Sequence, residues 1–174
     1  MKIGCLIGAL ALLASMAAGE PEAPAQAQVW LDFSGADAAV PYEESFEISL
    51  PEFPGVTFCW TAYHVSAATE EGEQELFTGW PVENVYFCDL TGDGKPELCA
   101  TVCYGFGLID ERILVYDYAG GVCYELESRG QYDYRLSLED GALTVVQTEA
   151  PFGEVAARGR LVLQDGALGI LSEH

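Results

Sequence analysis

The chain has 174 residues, 50% of them hydrophobic, and sets 7 Lys and Arg against 28 Asp and Glu for a net charge of −21. That length suits one domain with a real core and is short for two. The charge excludes nucleic acid as a partner, since nucleic acid needs clustered Lys and Arg, and it repels any anionic membrane surface. High negative charge with few hydrophobics would mean disorder. Here 3 Trp, 9 Tyr and 8 Phe accompany an ordinary apolar fraction, so a folded, anionic domain is expected. A cation that relieves local repulsion is the partner such a surface favours.

Residues 1–27 read as a signal peptide and linker. Lys2 gives a short positive start, and Ile3 to Gly19 carries no charge. Ser15-Met16-Ala17, Ala23-Pro24-Ala25 and Ala25-Gln26-Ala27 fit the small-x-small cleavage pattern. The apolar run is short of the roughly 20 residues a membrane span needs. An N-terminal signal helix is expected, and with it a secreted or extracytoplasmic protein, membrane-tethered if the segment stays uncleaved. Cys5 precedes the apolar run, so it is not placed as a lipid-attachment cysteine. Glu20 to Gln28 is rich in Pro and Ala and reads as linker.

Residues 28–174 then read as a single β-rich domain. Ser45 to Leu50 alternates apolar and polar positions and ends at Pro51 and Pro54. Val56 to Val65 is rich in β-branched and aromatic residues and reads as one strand. Ala67 to Glu75 is a polar, acidic connection, and Glu75-Leu76-Phe77 a short strand. Val85 to Cys88 enters an acidic loop and Leu98 to Tyr104 leaves it. Arg112 to Tyr118 turns at Ala119-Gly120-Gly121 into Val122 to Leu126. Two further hairpins, Arg135 to Val145 and Arg160 to Ile170, turn at Asp140-Gly141 and Asp165-Gly166. Asp-Gly between alternating strands is the strongest short hairpin signal, because that turn needs positive φ at both central residues. No amphipathic helix follows the signal. The fold class is all-β: an antiparallel meander of hairpins closing into a barrel or sandwich.

Cys59, Cys88, Cys99, Cys103 and Cys123 follow the signal, with no Cys-x-x-Cys pair to hold zinc or run thiol exchange. Cys99 and Cys103 share one face of a strand about 13 Å apart, too far to bond. Cys88 and Cys99 flank the acidic loop and face each other if it closes a hairpin, which leaves one cross-strand disulfide open. The rest read as small buried apolar side chains.

The acidic loop is Asp89-Leu90-Thr91-Gly92-Asp93-Gly94-Lys95-Pro96-Glu97. Counted from Asp89, oxygen-bearing side chains fall at positions one, three, five and nine, with Gly at six. That spacing wraps a calcium ion, which takes six to eight hard oxygens. Asp89, Thr91, Asp93 and Glu97 are the candidate side-chain ligands, and Lys95 supplies a backbone carbonyl at position seven. Gly94 permits the reversal. Three carboxylates brought together are unfavourable without a cation. The loop departs from an EF-hand. Thr91 stands where Asp or Asn is usual, Ala100 replaces the bidentate Glu at twelve, and a strand follows instead of a helix. Weak affinity is expected, about 10⁻⁴–10⁻³ M. The plain alternative is a solvated turn built from ordinary turn residues.

The strand-loop-strand setting resembles the calcium loops of FG-GAP or VCBS-type repeats, whose pattern is Asp-x-Asn-Gly-Asp-Gly-x-x-Asp-Leu. Asp89, Gly92, Asp93, Gly94 and Leu98 match it, while Thr91 replaces Asn and Glu97 replaces Asp. The resemblance implies one propeller-blade-like unit, continued by Leu98–Tyr104, Arg112–Tyr118 and Val122–Leu126. A single copy excludes a full propeller of such blades. More widely, Phe87 to Leu98, Gly105 to Asp110 and Val115 to Tyr118 resemble an extracytoplasmic domain of Firmicutes that occurs alone or after membrane metallopeptidases of the β-lactam-sensor type. That likeness implies an accessory domain. The peptidase His-Glu-x-x-His motif is absent, so no catalysis carries over.

No other motif carries chemistry. His64 and His174 have no partner motif, chance carboxylate pairs are unavoidable in so acidic a chain, and no nucleophile elbow or phosphate loop occurs. Trp30, Trp60 and Trp80 suit a core, or a face that binds sugar or peptide. The expected function is an exported, non-catalytic calcium-binding accessory or interaction domain, with an extracellular protein or glycan as a further partner. The alternative is an extracellular hydrolase of cell-wall or glycan substrates, which would need a pocket with paired carboxylates.

Overall fold

The computed structural model describes residues 26–35, 39–105, 109–127, 130–151 and 153–172. The signal segment lies outside them except for Gln26 and Ala27. The described residues form strands and no helix. Strand β1 is Gln28–Asp32. Strands β2 (Ser45–Ile48), β3 (Thr57–Thr61), β4 (His64–Thr69) and β5 (Gly72–Thr78) form a four-stranded meander. Strands β6 (Val82–Cys88), β7 (Glu97–Tyr104), β8 (Asp110–Asp117) and β9 (Val122–Leu126) join β1 in a five-stranded sheet of order β1-β6-β7-β8-β9. Strands β10 (Tyr132–Glu139), β11 (Ala142–Glu149), β12 (Val155–Gln164) and β13 (Ala167–Leu171) form the last meander. Neighbouring strands pair antiparallel, and no sheet closes into a barrel.

The fold is therefore all-β, with the five-stranded sheet in the middle of two cores. On one face Val85, Phe87, Leu98, Ala100 and Val102 pack against Phe58, Trp60, Val65 and Phe77 of the first meander. On the other, Tyr86, Cys99, Ile113 and Val115 pack against Leu136, Leu143, Val145 and Leu161 of the last. Burial on both sides explains why β6, β7 and β8 read as near-continuous apolar runs, since each fully buried Val, Leu or Ile stabilises by about 1.5–3 kcal/mol.

The Asp-Gly hairpins fold as their sequence requires. Asp140 and Gly141 take φ of 49° and 80°, and Asp165 and Gly166 take 51° and 77°. Glu139 then pairs with Ala142, and Gln164 with Ala167.

Three expectations are corrected. Val56 to Val65 is two strands, because the Thr61 hydroxyl accepts the backbone N–H groups of Tyr63 and His64, both at 3.2 Å, and turns the chain. The acidic connection Ala67 to Glu75 is largely the β4–β5 hairpin, whose exposed face carries Glu73 and Glu75. Gln28, the last residue of the presumed linker, starts β1 and pairs with Phe87.

The last meander is pinned to the central sheet by buried polar groups. Asn84 Nδ2 donates to the Leu136 carbonyl at 3.2 Å, and Asn84 Oδ1 accepts from the Thr101 N–H at 2.7 Å. The Leu136 N–H donates to Thr101 Oγ1 at 2.9 Å. Asn84 and Thr101 are both 0% exposed, so every donor lost there stays dry. Replacement of Asn84 by Ala should cost about 2–4 kcal/mol in urea unfolding, because it orphans a buried N–H and a buried C=O. A cost below about 0.5 kcal/mol would show that water enters the interface.

Candidate metal centre

The loop Asp89–Glu97 closes the β6–β7 hairpin, where Cys88 pairs with Glu97. Glu97 is the first residue of β7 and is 1% exposed. Its carboxylate organises the loop from below. Oε2 accepts the N–H of Leu90 at 2.5 Å and of Thr91 at 3.2 Å. Oε1 accepts the Thr91 hydroxyl at 2.9 Å. From above, Asp89 accepts the N–H of Gly92 at 2.8 Å and of Gly94 at 2.9 Å, one on each oxygen. Asp93 Oδ1 accepts the Lys95 N–H at 2.8 Å. Gly94 takes φ of 85°, the reversal read from position six.

The structure brings three of the five candidate residues together. Asp89, Asp93 and Glu97 each present a carboxylate oxygen, and these lie within 4.8 Å of one another. Thr91 is tied to Glu97 through its hydroxyl, whose own lone pairs are not consumed by donating. Lys95 sits at the exposed rim with its N–H held by Asp93. Asp117 is a fourth carboxylate that sequence spacing missed. It stands one step beyond the Leu98–Tyr116 pair, and its charge adds to the cost of ionising Glu97.

The donor set fits a hard divalent cation. A carboxylate oxygen has two lone pairs, so each Asp89 oxygen keeps one after accepting an N–H, as does Glu97 Oε1. All three side chains offer oxygen, and among the described residues no imidazole or thiolate joins the group. Burial pushes Glu97 above the usual glutamate range; the hydrogen bonds from Leu90 and Thr91 oppose that, and Asp117 adds to it. Clefts flank the loop on both sides. One, of about 560 Å³, runs between Asp89–Gly92 and the β11–β13 face at Leu143, Arg160 and Leu161. The other, of about 170 Å³, lies by Gln28, Phe87, Asp89, Gly94 and Pro96. Asp89 is in contact with both.

Glu83, Cys103 and Glu111 also converge within 4.8 Å. Here the compensation is built in. Arg135 from β10 lies 2.6 Å from Glu111 and 3.7 Å from Glu83, and the Glu111 N–H donates to Asp133. This group brings residues 83, 103, 111 and 135 together from four strands, so no spacing rule reveals it.

Cys59, Cys88, Cys99, Cys103 and Cys123 are free thiols. Cys88 pairs with Glu97 and Cys99 with Tyr86, so the two share a face but stand diagonally, not opposite. Burial raises Cys88 to about 12, with Glu97 and Asp89 adding to it, and raises Cys99 well above the thiol range. Cys123 is exposed. Brief native alkylation followed by peptide mapping should label Cys123 well before Cys88, Cys99 and Cys103, which should react only on unfolding.

Burial pushes Glu111 upward, Arg135 pulls it down, and Glu83 pushes it up again, with a net rise. A carboxyl raised by folding favours the native state below its unfolded pKa, and that contribution is lost as pH climbs through the folded value. Wild type should therefore lose melting temperature relative to Glu111→Gln as pH rises above about 4, the ordinary glutamate value. A difference that moves in wild type's favour as pH rises would contradict the assignment.

No family model matches the sequence, and no curated protein or solved structure matches it either, so geometry and sequence pattern carry the functional reading.

Proposed function

We propose that the chain is an exported, non-catalytic accessory or interaction domain whose loop Asp89–Glu97 holds a calcium ion with a mainly structural role. The observation that carries this reading is the meeting of Asp89, Asp93 and Glu97 at the closed end of a hairpin whose strands are buried on both sides. An ion there neutralises the buried Glu97 and ties the exposed loop tip to the core. The VCBS-like spacing of the loop and the uncharged stretch Ile3 to Gly19 support calcium and export respectively. The hydrolase reading draws no support from the larger cleft. Asp89 is the only carboxylate among its described lining residues, and acid–base glycoside hydrolysis needs two.

Thermal unfolding in EDTA and in 10 mM calcium tests this. Calcium should raise the melting temperature, because a ligand of the native state stabilises by about 2.7 kcal/mol at a hundredfold excess over its dissociation constant. Asp89→Asn and Asp93→Asn should each abolish most of the shift. Identical melting with EDTA and with calcium would overturn the proposal.

A further inference from the structure

Three aromatic rings meet on the surface beside the first meander. Tyr42 is 47% exposed, Tyr63 43% and Trp80 50%. The Tyr42 and Tyr63 ring centroids are 5.9 Å apart at 48°, and those of Tyr63 and Trp80 6.2 Å apart at 67°. The rings come from three separate segments: the turn before β2, the β3–β4 turn and the β5–β6 connection. Each backbone is pinned. The Glu44 N–H donates to the Pro41 carbonyl at 3.2 Å and the Tyr63 N–H to Thr61 Oγ1 at 3.2 Å. The Gly79 N–H donates to the Tyr63 carbonyl at 2.9 Å and the Trp80 N–H to the Cys103 carbonyl at 2.7 Å. A Cβ at Gly79 would collide with Val102 Cγ1, so the connection lies hard against the core. The backbone under each ring is hydrogen-bonded in place, yet close to half of each residue's surface faces water. Contiguous exposed aromatic surface on a fixed scaffold marks a contact site.

The segment that carries the three rings holds charge of one sign. Residues 39–82 contain eight Glu and no Asp, Lys or Arg, and all eight glutamates are exposed. Glu43 and Glu44 follow Tyr42 directly. Glu47 stands on the outer face of the meander opposite Cys59, whereas Glu73 pairs with Ala68 toward the other end of the meander. The faces of the rings and the carboxylates attract the same ligand, a cation, and guanidinium is the cation that stacks on aromatic faces. A neutral sugar would use the rings and gain nothing from the glutamates. Spacing points to an extended chain. Alternate side chains of a strand lie about 6.6–6.8 Å apart on one face, close to the separations between successive rings.

We propose that Tyr42, Tyr63 and Trp80, with Glu43 and Glu44 beside Tyr42, bind an extended arginine-rich peptide segment of a partner protein, with arginines at alternate positions stacked on successive rings. This surface shares no residue with the loop Asp89–Glu97 and does not rest on calcium. Calorimetric titration of the full chain in EDTA with an Arg-Ser-Arg-Ser-Arg-Ser peptide tests it. Binding should weaken with added salt and fall about tenfold in W80A and in Y42A. The second variant lies on a separate segment and guards against a local folding defect at Trp80. Equal binding to wild type and both variants would overturn the platform and leave only the general negative field. Trp80-dependent binding of cellohexaose, with no binding of the arginine peptide, would overturn it in favour of a glycan site.

Discussion

The structure depends on the burial of the central sheet from both sides. Strands β6 and β7 expose almost nothing to water, so every polar group on them must find its partner inside the protein. Asn84 and Thr101 do so by bonding the backbone of β10, which joins the last meander to the middle of the molecule. Glu97 does so by accepting donors from its own loop. The loop is therefore an extension of the core: its shape is set by a buried carboxylate at its base. That is why an exposed, acidic, glycine-rich segment has a defined geometry.

The same constraint orders the few cations. Arg135 lies across Glu83 and Glu111 where their carboxylates approach the buried Cys103. Arg112 pairs with Asp110 and Glu125 and lies 4.9 Å from the centre of the Tyr104 ring. Arg158 pairs with Glu139 at the surface, where such a pair contributes little stability. These arginines all follow residue 110, and the only charged Asp, Glu, Lys or Arg side chains in residues 39–82 are glutamates. Among the described residues, 39–82 hold no Lys or Arg, while Arg135, Arg158 and Arg160 fall in the last meander. The loop at one hairpin end and the aromatic rings beside the first meander are two separate features, proposed for a hard ion and for a guanidinium.

Parts of this were legible in sequence because they are local. Asp140-Gly141 and Asp165-Gly166 carry their own turn geometry, and the Asp89–Glu97 spacing carries its own curl. The illegible parts are those where a different side chain or segment does the job. A threonine hydroxyl turns the chain at Tyr63 where no Gly, Pro or Asx stands. Strand β1 is legible only through its pairing with β6, because Gln28 to Asp32 has little pattern of its own. Of the tryptophans, Trp60 is fully buried, Trp30 stacks on Phe87 at 5.7 Å, and Trp80 faces outward. Residue type alone does not separate them, since exposure follows from which segment lies over each ring.

The amino-acid sequence by itself determined the all-β class, the hairpin turns, the strongly anionic surface and the approach of Asp89, Asp93 and Glu97. Each of these follows from local dihedral preference, two-residue periodicity or composition. Tertiary structure alone decided that the sheets stack on both faces of β6–β9 instead of closing a barrel, that Arg135 answers Glu83 and Glu111, and that Tyr42, Tyr63 and Trp80 share one surface. Those outcomes join residues far apart in the chain. Their energies come from burial and pairing across elements, which no short window of sequence contains.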